Sequence, residues 1–594
     1  MTSAVPLGAW DYAVFAAYIL ALCAVGWWAG RKRADNNTGF FLADKSLPWY
    51  VVGSSYIAAN ISTEHFIGLI GSSVIYGICM ATGEWSSVIA FTFLIWLFIP
   101  FLLSAKVFTA PEFLERRFTP TMRAFFATVT VIVNIVGFLA PMIYGGGLAL
   151  EAAFGVNAAL GIDPAAVAHG EAVNWGLYLA ITTIGLGAGA WAIWGGLKSV
   201  AWMDCLTVII MVIGGLSVTY YGLKYLGGTS HSVVDGFRVM IERNQATTGI
   251  YKEAMDRLRP EIVPGATTYN RLSVLQPLNH QVTPWIHWVL SFFYIGLWYT
   301  VINQFMVQRI FAARTEYDAR LGIVLASYLK LLIPFIVVVP GLIYFAMHPE
   351  ILLTGASVRD VRPIADKTYV NLIRELLPIG LKGLLLAALF GALKSAVAAV
   401  LNATSMIVTL DLYKRYVNPK FEGHRSVTMA RWVTLVILIV SVLFGFYIST
   451  LKASLFVYIQ TLFNFFAPPF SAVFLLGTLW RRVGGPAATI TVFVGFGFGI
   501  VEKIAVDIGL APWLAPFAVQ SALNWGFCMV LCALLSLRLA PPRPDQITDE
   551  LTFNWRHIRF GRGPQTRWWN SVGFWWAGSV GLLGGLIYVF GIKY

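Results

Sequence analysis

Charge is what this sequence has least of. Asp, Glu, Lys and Arg make up 12% of its 594 residues, against about 25% in an ordinary soluble domain. Hydrophobic residues make up 58%. So few polar side chains cannot cover a water-soluble fold, whereas lipid removes that requirement. Cysteine is scarce as well. Cys23, Cys79, Cys205, Cys528 and Cys532 all lie in or beside apolar runs and show no metal-ligand spacing, so they read as small buried residues. No GxxxxGK[ST] segment occurs, which argues against an ATP-driven pump. No polar stretch is long enough to form an appended kinase or hydrolase domain. The first apolar run, near Asp11 to Gly30, has Arg31-Lys32-Arg33 behind it. A cleavable signal would carry its basic residues in front.

What the sequence has in abundance is long apolar runs. A spanning helix needs about 20 apolar residues. Runs of that kind lie near 10–29, 48–77, 83–104, 121–151, 174–194, 200–226, 281–312, 317–347, 377–413, 426–449, 452–479, 486–507, 514–538 and 571–592. The expected class is therefore all-α, a polytopic membrane protein of about 14 transmembrane helices. The 22 Trp fit membrane interfaces.

The net charge of +13 is not a nucleic-acid footprint, because its Lys and Arg cluster in alternate short loops. One set holds Arg31 to Arg33, Arg116-Arg117 with Arg123, Lys198, Arg309 with Arg314, Lys414-Arg415 with Lys420, Arg481-Arg482 and the segment from Arg538 to Arg567. By the positive-inside rule this set is cytoplasmic. The other set, from Glu151 to Asn174, Gly227 to His280 and His348 to Arg374, mixes acids with bases. Both termini are then expected outside the cytoplasm, with the protein in a cell (inner or plasma) membrane.

Polar groups inside a bilayer are expensive and mark cavities or partners. The second run carries Asn60, Ser62, Thr63, Glu64 and His65 in close succession. That composition predicts a break in the helix, where freed carbonyls can hold a cation or substrate. Other candidates are Glu84 and Ser87, Asp204, Tyr299-Thr300, Asn303-Gln304, Lys330, Lys394-Ser395, Gln460 and Asn464. Taken singly, such residues are commonly interhelical glue. As a set they offer donors and acceptors of both kinds, which suits a polyol, and Tyr299 suits the apolar face of a pyranose. His65 beside Glu64 and Glu84 resembles acid–base machinery, but no nucleophile motif or metal constellation accompanies it, so no enzyme is expected.

Several segments resemble the solute:sodium symporter family. They are Phe40-Phe41-Leu42-Ala43-Asp44-Lys45-Ser46-Leu47-Pro48-Trp49 followed by Ala58 to Gly68, Pro111 to Phe118, Trp194-Gly195-Gly196-Leu197, Gln308-Arg309, Leu401-Asn402, Asp411-Leu412-Tyr413-Lys414 and Ala467 to Trp480. The likeness is greatest to the sodium/glucose cotransporter branch. It implies a LeuT-type core of two inverted five-helix repeats with the site at the midplane. The division it implies is an N-terminal extra helix and cytoplasmic loop (1–47), a core (48–480) and peripheral C-terminal helices (481–594). Within the core, repeat one runs over about 48–226, an extracytoplasmic loop over about 227–280 and repeat two over about 281–480. A cytoplasmic linker covers about 538–570.

The resemblance also implies roles. Sugar-contacting positions match Asn60, His65, Glu84, Tyr299, Lys330 and Gln460, with Ser87 a further one. Thr300 departs from the family, whose sugar carriers usually have Trp there. The common sodium site matches Ala58, Ile61, Ala392 and Ser395, with Ala396 where the family has a second hydroxyl. Lys394 stands where the family is uncharged, and Asp204 matches an acid near the ion's exit route. The implied function is secondary transport of a monosaccharide such as glucose or galactose. Sodium symport is the default, and no cofactor is expected beyond that possible coupling ion. A sodium-independent or proton-coupled carrier, with Lys394 replacing the ion, is the alternative. A sugar sensor without transport is a third reading. The expected partners are the sugar and the bilayer, and no nucleic acid.

Overall fold

The computed structural model describes residues 7–31, 36–62, 64–163, 166–167, 172–450, 455–554 and 567–594, apart from the side chains of residues 152, 455–461 and 464. Among them no strand forms. The only extended pairings are single bridges, Leu47 with Ala313 and Gln276 with Pro284. That is what lipid demands, because a helix satisfies its own backbone polar groups where no water can.

In chain order the main helices are α1 (Ala9–Gly30), α2 (Trp49–Asn60), α3 (Ile70–Tyr76), α4 (Thr82–Phe93), α5 (Pro120–Ile132), α6 (Ala140–Phe154), α7 (Trp175–Leu226), α8 (Ile286–Ile302) and α9 (Gln304–Phe311). They continue with α10 (Glu316–Val337), α11 (Val339–Met347), α12 (Leu381–Met406), α13 (His424–Thr450), α14 (Leu455–Leu479), α15 (Gly485–Asp507), α16 (Phe517–Arg538) and α17 (Val572–Ile587).

By length and apolar character, 10 described helices can cross a membrane, or 11 if α8 and α9 form one span. The difference from the fourteen expected runs has local causes. Helix α7 holds two of the runs, joined at a kink. The continuous stretch Glu64–Ser104 takes in the end of one run and the whole of the next. The run at 452–479 falls partly outside the described residues.

The kink in α7 is at Gly196, with φ +58° and ψ −161°, a conformation essentially reserved for glycine. A Cβ there would also stand 2.5 Å from the Phe40 carbonyl oxygen. Helix α12 packs along α7 in the most extensive pairing of the molecule. Leu381–Lys414 is the most buried of the apolar spans, and Val572–Lys593 the least. The core is thus built around α12, and α17 lies at the periphery.

Two helices are broken at mid-course. Helix α2 stops at Asn60, and Ile61 is extended (φ −88°, ψ 124°). The Ser62 N–H turns to His65 Nδ1 at 3.3 Å, and the Glu64 N–H to Ser62 Oγ at 3.3 Å. The last carbonyls of α2 lose those two amide partners. The helix resumes through a wide π turn over Glu64–Leu69 into α3. In the second half, α8 and α9 meet at Asn303 with a bend of 52°. Each break falls in the first helix of an expected repeat. The break that the polar run at 60–65 predicts is present at that place.

Candidate functional site

The two breaks face each other. Asn60 ends α2, and its Nδ2 donates to Tyr299 Oη at 2.6 Å, across to α8. Asn60 Oδ1 accepts from Lys330 Nζ on α10. Lys330 Nζ also donates to Glu84 Oε2 at 2.7 Å, on α4. The other Glu84 oxygen lies 3.3 Å from His65 Nε2. His65 Nδ1 accepts the Ser62 N–H, so a neutral ring carries its proton on Nε2, aimed at Glu84. Five of the expected residues therefore form one continuous chain of contacts: Tyr299, Asn60, Lys330, Glu84 and His65.

Burial explains why the charges come paired. Lys330 is 3% exposed and Glu84 7%, and an unpaired ion at such a place is costly. Close packing also brings α2 up to Lys330. A Cβ on Gly53 of α2 would stand 2.4 Å from the Gly322 carbonyl oxygen of α10. Only glycine allows the two helices to approach that closely, and this brings Asn60 within reach of Lys330.

One expected residue stands apart from the chain of contacts. The Ser87 hydroxyl donates to the Gly83 carbonyl at 2.8 Å, within its own helix. The Gln460 side chain lies outside the described residues. Thr300 is buried, and its hydroxyl donates to the Gly296 carbonyl at 2.7 Å. Aromatic surface beside Tyr299 comes from other residues instead. Phe305, Phe138 and Phe463 have ring centroids 5.8, 6.4 and 6.5 Å from its own. Sequence reasoning missed these three, because nothing distinguishes a site phenylalanine from a lipid-facing one in an apolar helix.

A second polar cluster lies among α2, α7, α9 and α12. Asp204 is fully buried. Its Oδ1 accepts from Ser395 Oγ at 2.5 Å and its Oδ2 from Ser55 Oγ at 2.7 Å. Lys394 Nζ lies 3.9 Å from Asp204 Oδ1 and makes no hydrogen bond among the described residues. Lys394 is 2% exposed, so it points inward and does not snorkel to the interface. Arg309 Nε donates to the Ser55 carbonyl at 3.0 Å and to Ser55 Oγ at 2.9 Å. Sequence reading placed Arg309 among the loop charges; instead it is fully buried on α9. Ala58, Ile61, Ala392 and Ala396 are buried on the same two helices, α2 and α12, or at their break.

Comparison with known proteins decides the family. The model of the sodium:solute symporter family matches residues 40–495. The chain belongs to the sodium:solute symporter family. It is 32% identical to a sodium/glucose cotransporter of Vibrio parahaemolyticus over 538 residues, 89% of this chain and 90% of that one. It is 28% identical to a sodium/myo-inositol cotransporter of Mus musculus, over 91% of this chain and 75% of that one. The structure of a Na+-coupled sialic acid symporter in a substrate-bound outward-open state superposes with a TM-score of 0.69 at 19% identity, covering 90% of this chain and 99% of that one. The fold is the LeuT-type inverted repeat, and the two broken helices are its hallmark. As a family member the chain is an integral membrane transporter and not an enzyme.

Proposed function

We propose that this chain imports a monosaccharide such as glucose or galactose by alternating access, with sodium as the coupling ion. The observation that carries this is the chain of contacts from Tyr299 to His65 at the meeting of the two broken helices. It supplies carboxylate acceptors, an ammonium, an amide that both donates and accepts, and a phenol. Sugar hydroxyls donate and accept together, so they can exchange with these groups one for one. An anionic solute would meet Glu84 and be disfavoured. The cotransporter relatives support the same substrate class. Inositol, a polyol of similar size, is the nearest competitor.

The proposal covers topology as well. Both termini are extracytoplasmic in a cell membrane, the core is 48–480 and the helices after 481 are peripheral. Ala58, Ile61, Ala392 and Ser395 are proposed to line the ion site. Ser87 and Gln460 are proposed to reach the sugar once it is bound.

Uptake of labelled sugars into proteoliposomes tests this. Saturable uptake that rises with an inward sodium gradient supports it, and sugar binding without counterflow would favour a sensor. One observation favours a second reading of the driving force: an ammonium, Lys394 Nζ, already faces Asp204. On that reading the side chain supplies the cation that sodium supplies elsewhere, and transport is sodium-independent or proton-coupled. A Lys394→Ala variant that gains sodium stimulation would support it. Full sodium stimulation in the unmodified protein would exclude it.

A further inference from the structure

The last turn of the chain reaches the candidate site from outside the core. Helix α17 continues through a π turn over Tyr588–Lys593. Phe590 in that turn is 5% exposed, although α17 is mostly open to lipid. Its ring lies 5.8 Å from that of Trp85, tilted by 34°. Trp85 is fully buried, and its Nε1 donates to the Leu331 carbonyl at 3.2 Å. Trp85 is the neighbour of Glu84, and Leu331 is the neighbour of Lys330. The indole thus ties together the two backbones that carry the buried ion pair, and Phe590 closes its free side.

The same turn holds the loop segment 270–274. The Phe590 carbonyl accepts from the Val274 N–H at 2.7 Å, and a Tyr594 backbone oxygen accepts from Asn270 Nδ2 at 2.6 Å. The Val274 carbonyl in turn accepts from Thr82 Oγ1 at 3.3 Å, at the start of α4. Between these points Arg271 donates to the Ile75 and Val74 carbonyls, both at 2.7 Å, at the end of α3. The loop is therefore clasped between the final turn, the end of α3, which follows His65, and the start of α4, which carries Glu84.

We propose that Tyr588–Lys593 is a strut for the substrate site, and that Phe590 is a positioning residue that sets the Glu84–Lys330 geometry through Trp85. This rests on the reading that Glu84 and Lys330 contact the transported sugar. Phe590 touches no substrate. It fixes the indole between α4 and α10, and its loss lets Glu84 and Lys330 shift relative to each other. A misplacement of about 1 Å in a positioned site can cost on the order of 100-fold. A partial loosening is expected to raise the apparent KM for sugar by roughly tenfold.

The test is sugar uptake by the full chain in proteoliposomes. Phe590→Ala should raise KM with Vmax and the amount of folded protein unchanged, and Phe590→Leu should restore most of the affinity. Leu582→Ala, on the lipid-exposed part of the same helix, should change nothing. Trp85→Phe, which keeps the packing and removes the bond to Leu331, should also raise KM and serves if Phe590→Ala does not fold. An unchanged KM in Phe590→Ala, or a loss confined to Vmax, overturns the strut. Glu84→Gln separates the two levels. If it raises KM while Phe590→Ala does not, the strut is wrong and the site stands. If it leaves KM unchanged, the site reading fails and takes the strut with it.

Discussion

Glu84 keeps a carboxylate inside a membrane protein because Lys330 and His65 each face one of its oxygens. Removing one partner of a buried pair leaves an uncompensated charge, at a cost of about 3–5 kcal/mol. Lys330→Met should therefore lower thermal stability clearly in detergent, and Lys330→Met combined with Glu84→Gln should recover much of it. Asp366 gives a pH dependence outside the spanning segments. Burial pushes its carboxyl up to about 6 from an ordinary value near 4, against the opposing pull of Arg362. It sits against Gly71 of α3. The folded state thus holds a proton that the unfolded state has already lost, so stability falls as pH rises from about 4 to 6 and stays reduced above that. Asp366→Asn should flatten that dependence and raise the unfolding temperature at pH 7 more than at pH 4.5. Equal shifts at both pH values would contradict it.

Among the elements, the break at 60–65 was legible, and the second break and the kink in α7 were not. Five polar residues crowded at 60–65 cannot sit in lipid as a plain helix, so the break announced itself. Asn303 gave no such crowding, and the bend between α8 and α9 follows from its extended backbone, with φ −67° and ψ 121°. Gly196 appears in the sequence only as one of two consecutive glycines; its positive φ belongs to tertiary packing against Phe40. Gly196→Ala should cost about 1–3 kcal/mol from backbone conformation alone, with further loss from the Phe40 contact. Reduced folded yield and a lower melting temperature are the expected results. The partners of Asp204 show the same limit. Ser395 and Lys394 could be singled out as polar residues in an apolar run. Ser55 looked like one more small residue, and Arg309 looked like a loop charge. Only the helix packing shows that Ser55, Ser395 and Lys394 gather at one carboxylate, with Arg309 held behind Ser55.

At the scale of the whole molecule, apolar runs and loop charge fix the membrane class, because lipid leaves the chain few alternatives. The inverted repeat is hidden in the sequence, since the two halves share a path through the bilayer and not a residue pattern. It emerges once both first helices are seen to be broken and to meet through the hydrogen bond from Asn60 to Tyr299. The long-range joints are equally invisible beforehand. Arg123 on α5 meets Asp411, beyond the end of α12, at 2.7 Å, and Arg415 meets Glu115 at 2.6 Å. These ties join the two proposed repeats on the side proposed to face the cytoplasm, where a transport cycle must open and close. Arg123→Ala should shift the balance toward the state open on that side, and accessibility of single cysteines placed along α5 would report the change. The measurement that bears most directly on the whole account is uptake of labelled glucose and galactose into proteoliposomes holding the purified chain, with and without an inward sodium gradient, beside Glu84→Gln. The account predicts saturable uptake, raised by the gradient and strongly weakened in the variant; no saturable sugar uptake in any ionic condition, or uptake indifferent to Glu84→Gln, would contradict it.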